Sequence, residues 1–179
     1  LTNFDLAKLI NTSDAWIVER TGIRERRIAA DDEATSDMAV EAARKALEMA
    51  GMDACDLDMI IVGTISPDMQ MPSCAVLVQA KLGARNAFAF DISAACAGSL
   101  YGLSIADKFI RTGAARRVLV IGAELLSRIV DWSDRNTCVL FGDAAGAFVV
   151  GPSPSPGHGL ISTHLHSDGT TAGLLSIPG

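Results

Sequence analysis

Aromatic side chains are scarce in this 179-residue chain, which holds six Phe, two Trp and one Tyr. Its core must therefore come from Ala, Val, Ile and Leu; 49% of the residues are hydrophobic, a mixture that suits a closely packed α/β interior. Long apolar runs are also lacking. Stretches such as Val118–Ile121 fall far short of the ~20 residues that cross a bilayer, so no membrane association is expected. No basic-then-apolar segment opens the chain in the manner of a secretory signal. A basic surplus is missing too: 15 Lys and Arg face 21 Asp and Glu, a net charge of −6, which argues against nucleic acid as the main partner. Cysteine is limited to Cys55, Cys74, Cys96 and Cys138. With no CxxC pair and no clustered Cys/His set, a metal site is not expected. Reduced thiols in a cytoplasmic protein fit this usage better than disulfides.

What is present alternates between helix and strand. Thr2-Asn3 caps a predicted helix through Ile10, and Thr12-Ser13-Asp14 caps a second through Arg20 that Gly22 stops. Thr35-Ser36 is read as the cap of a helix reaching Ala50, with Ala39, Ala43 and Leu47 on its apolar face and Gly51 at its end. Pro72 opens another through Leu82, and a long one runs from Leu100 to Thr112 before Gly113. Predicted strands are Asp58–Gly63, Ala87–Phe90, Arg117–Gly122 and Leu160–Leu165, and Thr137–Val150 reads as strands joined by a tight turn. Gly151–Gly159 is a loop or linker, Ser167–Gly169 a turn, and Ile177–Gly179 a turn-like end. The pattern implies an α/β fold with a mixed, mainly parallel sheet covered by helices on both faces. Residues 1–151 form one unit, with room for a further strand ahead of it, and 152–179 a linker and the start of a second.

Asp91–Leu103 carries the most chemistry. The strand-like Ala87–Phe90 leads into very small residues around Cys96 and then into a helix, so Cys96 falls on or just before the first helical turn. Free backbone N–H groups and the positive end of the helix dipole point there. Both favour a thiolate and predict a lowered pKa. A small buried core cysteine is the alternative. His158, His164 and His166 read as loop, surface or structural residues, and none is an evident partner for Cys96. Trp16 taken alone reads as a helix-face core residue, and Arg24-Glu25-Arg26-Arg27 as solvated surface or a site for a small anion.

Ala94-Ala-Cys-Ala-Gly-Ser-Leu-Tyr-Gly-Leu103 resembles the nucleophile motif of β-ketoacyl-acyl carrier protein synthase III. Three further stretches agree with that family in order and spacing: Thr12–Arg24, Asp131–Thr137 with Phe141-Gly-Asp143, and Ile161–Gly169. The resemblance implies the thiolase fold, of which this chain looks like the first of two repeated halves, in a homodimer. It implies that Cys96 takes an acyl group, commonly acetyl, from a coenzyme A thioester, with no permanently bound cofactor. Decarboxylative condensation with malonyl-acyl carrier protein would follow in the complete subunit. It further implies that Trp16 and Arg135 sandwich the coenzyme A adenine, that Thr12, Arg20 and Thr21 line the same end, and that Met71 lies near the acyl pocket of a partner subunit. The family's decarboxylating His and Asn have no match in this chain. Arg24, Arg26 and Arg27, or Arg116 and Arg117, offer a docking patch for the acidic carrier protein. Two other readings stand beside this one: a related thiolase-fold acyltransferase of secondary metabolism, and a non-catalytic scaffold half.

Overall fold

The computed structural model describes residues 1–155 and 157–177. The element order is α1 (Asn3–Leu9), α2 (Asp14–Thr21), α3 (Thr35–Ala50), β1 (Met59–Gly63), α4 (Cys74–Leu82), β2 (Phe88–Ile92), α5 (Gly98–Arg111), β3 (Val118–Leu125), α6 (Arg135–Cys138) and β4 (Asp143–Val150). The four strands form one sheet in the order β2-β1-β3-β4. β1 pairs in parallel with β2 (Met59 opposite Phe88) and with β3 (Met59 opposite Val118), whereas β4 runs antiparallel to β3 (Val118 opposite Val150).

Strand β1 is buried at every position, as expected of a parallel strand covered on both faces. Its side chains alternate between two cores. Ile60 and Val62 join α3 and α4 on one face, while Met59 and Ile61 join the helix α5 on the other. β3 repeats the division, with Leu119 and Ile121 on the first side and Val118 and Val120 on the second. Each such side chain contributes about 1.5–3 kcal/mol by leaving water. A third, smaller cluster joins α1 and α2 to α6 through Leu6, Ile17, Cys138 and Val139, with Trp16 and Trp132 packed against it.

Left-handed Gly22, Gly51 and Gly83 end α2, α3 and α4, where a residue without Cβ adopts positive φ freely. Other expectations need correction. Thr35 and Ser36 do not cap α3 but lie inside its first turn. The Thr35 hydroxyl donates to the Ser66 carbonyl, Asp68 accepts from Ser36, and the Ala34 N–H at the cap donates to Asp37. Helix α4 begins at Cys74, because the Asp91 carboxylate accepts from the Cys74 and Ala75 N–H groups at 2.7 Å each. Between Thr137 and Val150 there is one strand preceded by the turn of α6, not a strand pair. Residues 160–165 form no strand. They lie against α5 through Ser104–Thr163 and Arg111–Leu160 hydrogen bonds, and no strand among the described residues pairs with them. Pro156 of the loop and Pro178-Gly179 of the predicted terminal turn lie outside the described residues. Among the described residues no helix is long and apolar enough to cross a membrane.

Candidate active site

Cys96 lies in a single 3-10 turn, Ala95–Ala97, between the end of β2 and the start of α5. Ala95 before it adopts φ +45°, a left-handed conformation that costs an alanine roughly 1 kcal/mol. Such strain recurs at functional sites, where it aims a side chain out of the regular path. Here Cys96 is exposed and borders a cavity of about 210 Å³ whose lining includes Gly63, Ser99, Gly122, Glu124 and Gly142. Glycines set the depth of the helix behind it. A Cβ on Gly63 would stand 2.7 Å from the Gly98 carbonyl carbon, and one on Gly102 would stand 2.7 Å from Val120 Cγ1. α5 therefore packs on the sheet almost backbone to backbone, which holds Cys96 at the carboxyl ends of β1 and β3.

Glu124, an acid the sequence reading did not single out, lines this cavity, and Asp143 of the Phe141-Gly-Asp143 match stands next to its lining residues Gly142 and Ala144. Glu124 accepts from the Ile65 N–H at 3.0 Å and from the Ser66 hydroxyl, so its carboxylate ties the end of β3 to the loop after β1. A lone acid in the apolar run Val118–Leu126 was the signal available. Asp143 is buried and accepts from the Ala29 N–H (2.7 Å), the Ser127 N–H (2.8 Å) and the Ser127 hydroxyl (2.7 Å). It fixes the first residue of β4 beside Gly142 of the cavity.

The remaining cysteines divide cleanly. Cys74 and Cys138 have no exposed surface, and burial raises the pKa of both thiols. Raised values mean that the unfolded chain ionises first, so these two thiols lower stability as pH rises past the ordinary thiol value of 9.0. Under native conditions at neutral pH, iodoacetamide is expected to modify the exposed Cys55 and Cys96 and to spare the other two. Peptide mapping reads this out; labelling of Cys74 before unfolding would contradict it.

A second constellation surrounds Trp16. The Arg20 guanidinium carbon lies 4.5 Å and that of Arg135 4.7 Å from the indole ring centre, both at cation–π distance. Arg135 also donates to the Asn11 carbonyl at 3.1 Å. The Thr12 hydroxyl oxygen is buried without a hydrogen-bond partner among the described residues, an uncommon state for such a group. The Thr21 hydroxyl is engaged locally, donating to Ile17 O at 2.8 Å and accepting from the Ile23 N–H at 3.0 Å. The structure thus brings Trp16, Arg20 and Arg135 together and puts Thr21 into the turn that closes α2. Met71 is 85% exposed and does not line the cavity of its own chain. Among the described residues none of the three histidines lines that cavity; His158 borders a groove beside the other end of α5. Arg26 is buried, so it leaves the expected docking patch, whereas Arg24 and Arg27 are exposed.

A family model described as 3-oxoacyl-[acyl-carrier-protein (ACP)] synthase III matches residues 90–169. The β-ketoacyl-[acyl-carrier-protein] synthase III of Ehrlichia canis (strain Jake) is 59% identical over 179 residues, which are 100% of this chain and 56% of the relative. Along its whole length this chain is similar to about half of a β-ketoacyl-acyl carrier protein synthase III. The solved synthase III of Pseudomonas aeruginosa PAO1 superimposes with a TM-score of 0.93 at 40% identity, over 100% of this chain and 56% of that one. The fold of this chain is thus thiolase-like. A priming β-ketosynthase from the R1128 polyketide pathway also superimposes, with a TM-score of 0.84 at 44% identity over 88% of this chain and 47% of that one. The chain spans about half the length of the curated relatives it matches.

Proposed function

We propose that this chain carries the acyl-accepting side of a β-ketoacyl-acyl carrier protein synthase III, which initiates type II fatty acid synthesis. The observation that carries the reading is Cys96, exposed on a strained turn at the head of α5 and facing a small-residue cavity. The Cys96 sulfur attacks the carbonyl carbon of an acyl-coenzyme A. A tetrahedral oxyanion forms, supported by backbone N–H groups at the head of α5. Its collapse breaks the bond to the coenzyme A sulfur, which leaves with the proton that Cys96 gave up. The product is an acyl thioester on Cys96, acetyl in the simplest case. Condensation with the carbanion released from malonyl-acyl carrier protein then belongs to the whole subunit, a cytoplasmic homodimer whose acyl pocket Met71 borders from the partner.

Trp16, Arg20 and Arg135 hold the nucleotide of coenzyme A in this reading, and the Thr12 hydroxyl, without a partner among the described residues, serves the same end. At 4.7 Å from the indole, Arg135 is too near to admit a planar base, which needs about 3.5 Å on each face. Arg135 therefore swings off Trp16 and releases Asn11 when the base enters. Thr21 contributes by closing the turn that ends the Trp16 helix. The superposition on a polyketide priming enzyme supports a second reading, a related acyltransferase of secondary metabolism with a different starter.

Incubation of the full chain with isotope-labelled acetyl-coenzyme A, followed by digestion and mass spectrometry, tests the proposal. A mass increase of one acetyl group on the Cys96 peptide is expected. Acetyl found on Cys55, or on no cysteine, would sink it. A set of other starter thioesters separates the two readings by which acyl group loads fastest.

A further inference from the structure

Arg26 is 6% exposed, and among the described residues it forms no ion pair with a carboxylate. A buried charge without a counter-charge is expensive, and here carbonyl and amide oxygens surround the guanidinium instead. One terminal nitrogen donates to the Leu1 carbonyl at 3.2 Å. The other donates to Asn3 Oδ1 at 2.8 Å and to the Val139 carbonyl at 3.3 Å. Asn3 has no exposed surface, and its amide passes the link on, donating to Asp14 Oδ1 at 2.9 Å and to the Ile23 carbonyl at 2.7 Å.

These bonds end at two informative places. Asp14 is the first residue of α2, and Trp16 follows in the same turn. Val139 is the cap residue of α6, whose first residue is Arg135. One nitrogen of the Arg26 guanidinium, held in place by the other's bond to Leu1, therefore joins the two helices whose side chains meet over the Trp16 ring. The same segment reaches the cysteine cavity: a Cβ on Gly142 would stand 3.0 Å from Arg26 Cβ and 3.0 Å from the Arg27 carbonyl oxygen, and Gly142 lines the space in front of Cys96.

We infer that Arg26 is a positioning residue that sets the spacing of Trp16 and Arg135, and through it the affinity for the nucleotide end of an acyl-coenzyme A. This rests on the nucleotide role proposed above for Trp16 and Arg135. Lysine cannot replace it, because a single ammonium on a flexible stem lacks the rigid plane that holds Asn3 Oδ1 and the Val139 carbonyl on one nitrogen and the Leu1 carbonyl on the other. The Asn3 amide is the second link, so removing it acts in the same direction.

The test follows acylation of Cys96 in the full chain with two donors, acetyl-coenzyme A and acetyl-pantetheine, which keeps the thioester arm and lacks the nucleotide. Wild-type protein is expected to half-saturate at a lower concentration of acetyl-coenzyme A. In Arg26→Lys that concentration rises about tenfold, while the limiting rate and the reaction with acetyl-pantetheine stay unchanged. Asn3→Ala shifts the same ratio, and the double variant is no worse than Arg26→Lys, since both interrupt one path. If Arg26→Lys does not fold, Asn3→Ala carries the test on the same ratio. A lowered melting temperature with an unaltered ratio between the donors would make Arg26 purely structural and overturn the inference. Equal half-saturation of the wild type by both donors would instead remove the nucleotide clamp, and the role of Arg26 with it.

Discussion

Cys96→Ala is expected to abolish acyl loading from acetyl-coenzyme A, by a factor on the order of 10³ or more, while leaving the fold intact. The two halves of this expectation come from the same geometry. The side chain is exposed beside a cavity, so its truncation leaves no void in the two main cores and should stay within about 0.5 kcal/mol of wild-type stability. Yet no other exposed thiol borders that space among the described residues, because Cys55 donates to the Gly83 carbonyl elsewhere on the surface. Intact-mass measurement after incubation with the thioester, together with urea unfolding, reads both effects. An adduct retained by the alanine variant would place the chemistry on another residue. A scaffold role predicts the reverse pattern, with biological activity indifferent to the substitution.

Gly63→Ala should produce the largest loss of stability for the smallest chemical change, about 3 kcal/mol. The added methyl would stand 2.7 Å from the Gly98 carbonyl carbon and 3.0 Å from Gly98 Cα. Both are backbone atoms, and no rotamer can move them aside. α5 must lift off the sheet, carrying Cys96 with it, and a displacement of about 1 Å at a reacting atom can lower the rate on the order of 10²-fold. Gly102→Ala supplies the contrast. Its methyl meets Val120 Cγ1, a side-chain atom that can adjust, and alanine regains about 1 kcal/mol of helix propensity. Denaturant unfolding of the pair should show Gly63→Ala far below Gly102→Ala; equal midpoints would mean that the helix is free to rise.

Local chemistry made much of this architecture readable. Left-handed glycine stops, the all-apolar Met59–Gly63 and the change from β period to helix period around Cys96 each depend on neighbours within one turn or strand, which a sequence displays directly. Features that depend on distant partners were not displayed. Thr35 and Ser36 carry cap chemistry, yet Ser66 and Asp68 draw their hydroxyls into tertiary bonds. Leu160–Leu165 has the composition of a strand, but a strand exists only beside another, and none among the described residues stands there. In Arg24–Arg27 the residue types do not reveal which guanidinium turns inward. Only the contacts of Arg26 with Asn3 and Val139, residues far from it in the chain, decide that.

The sheet order also bears on how this chain is made. β1 occupies an inner position between β2 and β3, although both partners are synthesised after it. Its five apolar residues thus leave the ribosome with neither edge paired, and the β3 side stays open until a strand about 60 residues downstream arrives. During that interval Met59–Gly63 is a short, uncharged, β-prone segment of the kind that seeks other chains. Yield in cells should therefore depend on the rate of translation and on chaperone supply, even for variants whose finished fold is as stable as the wild type.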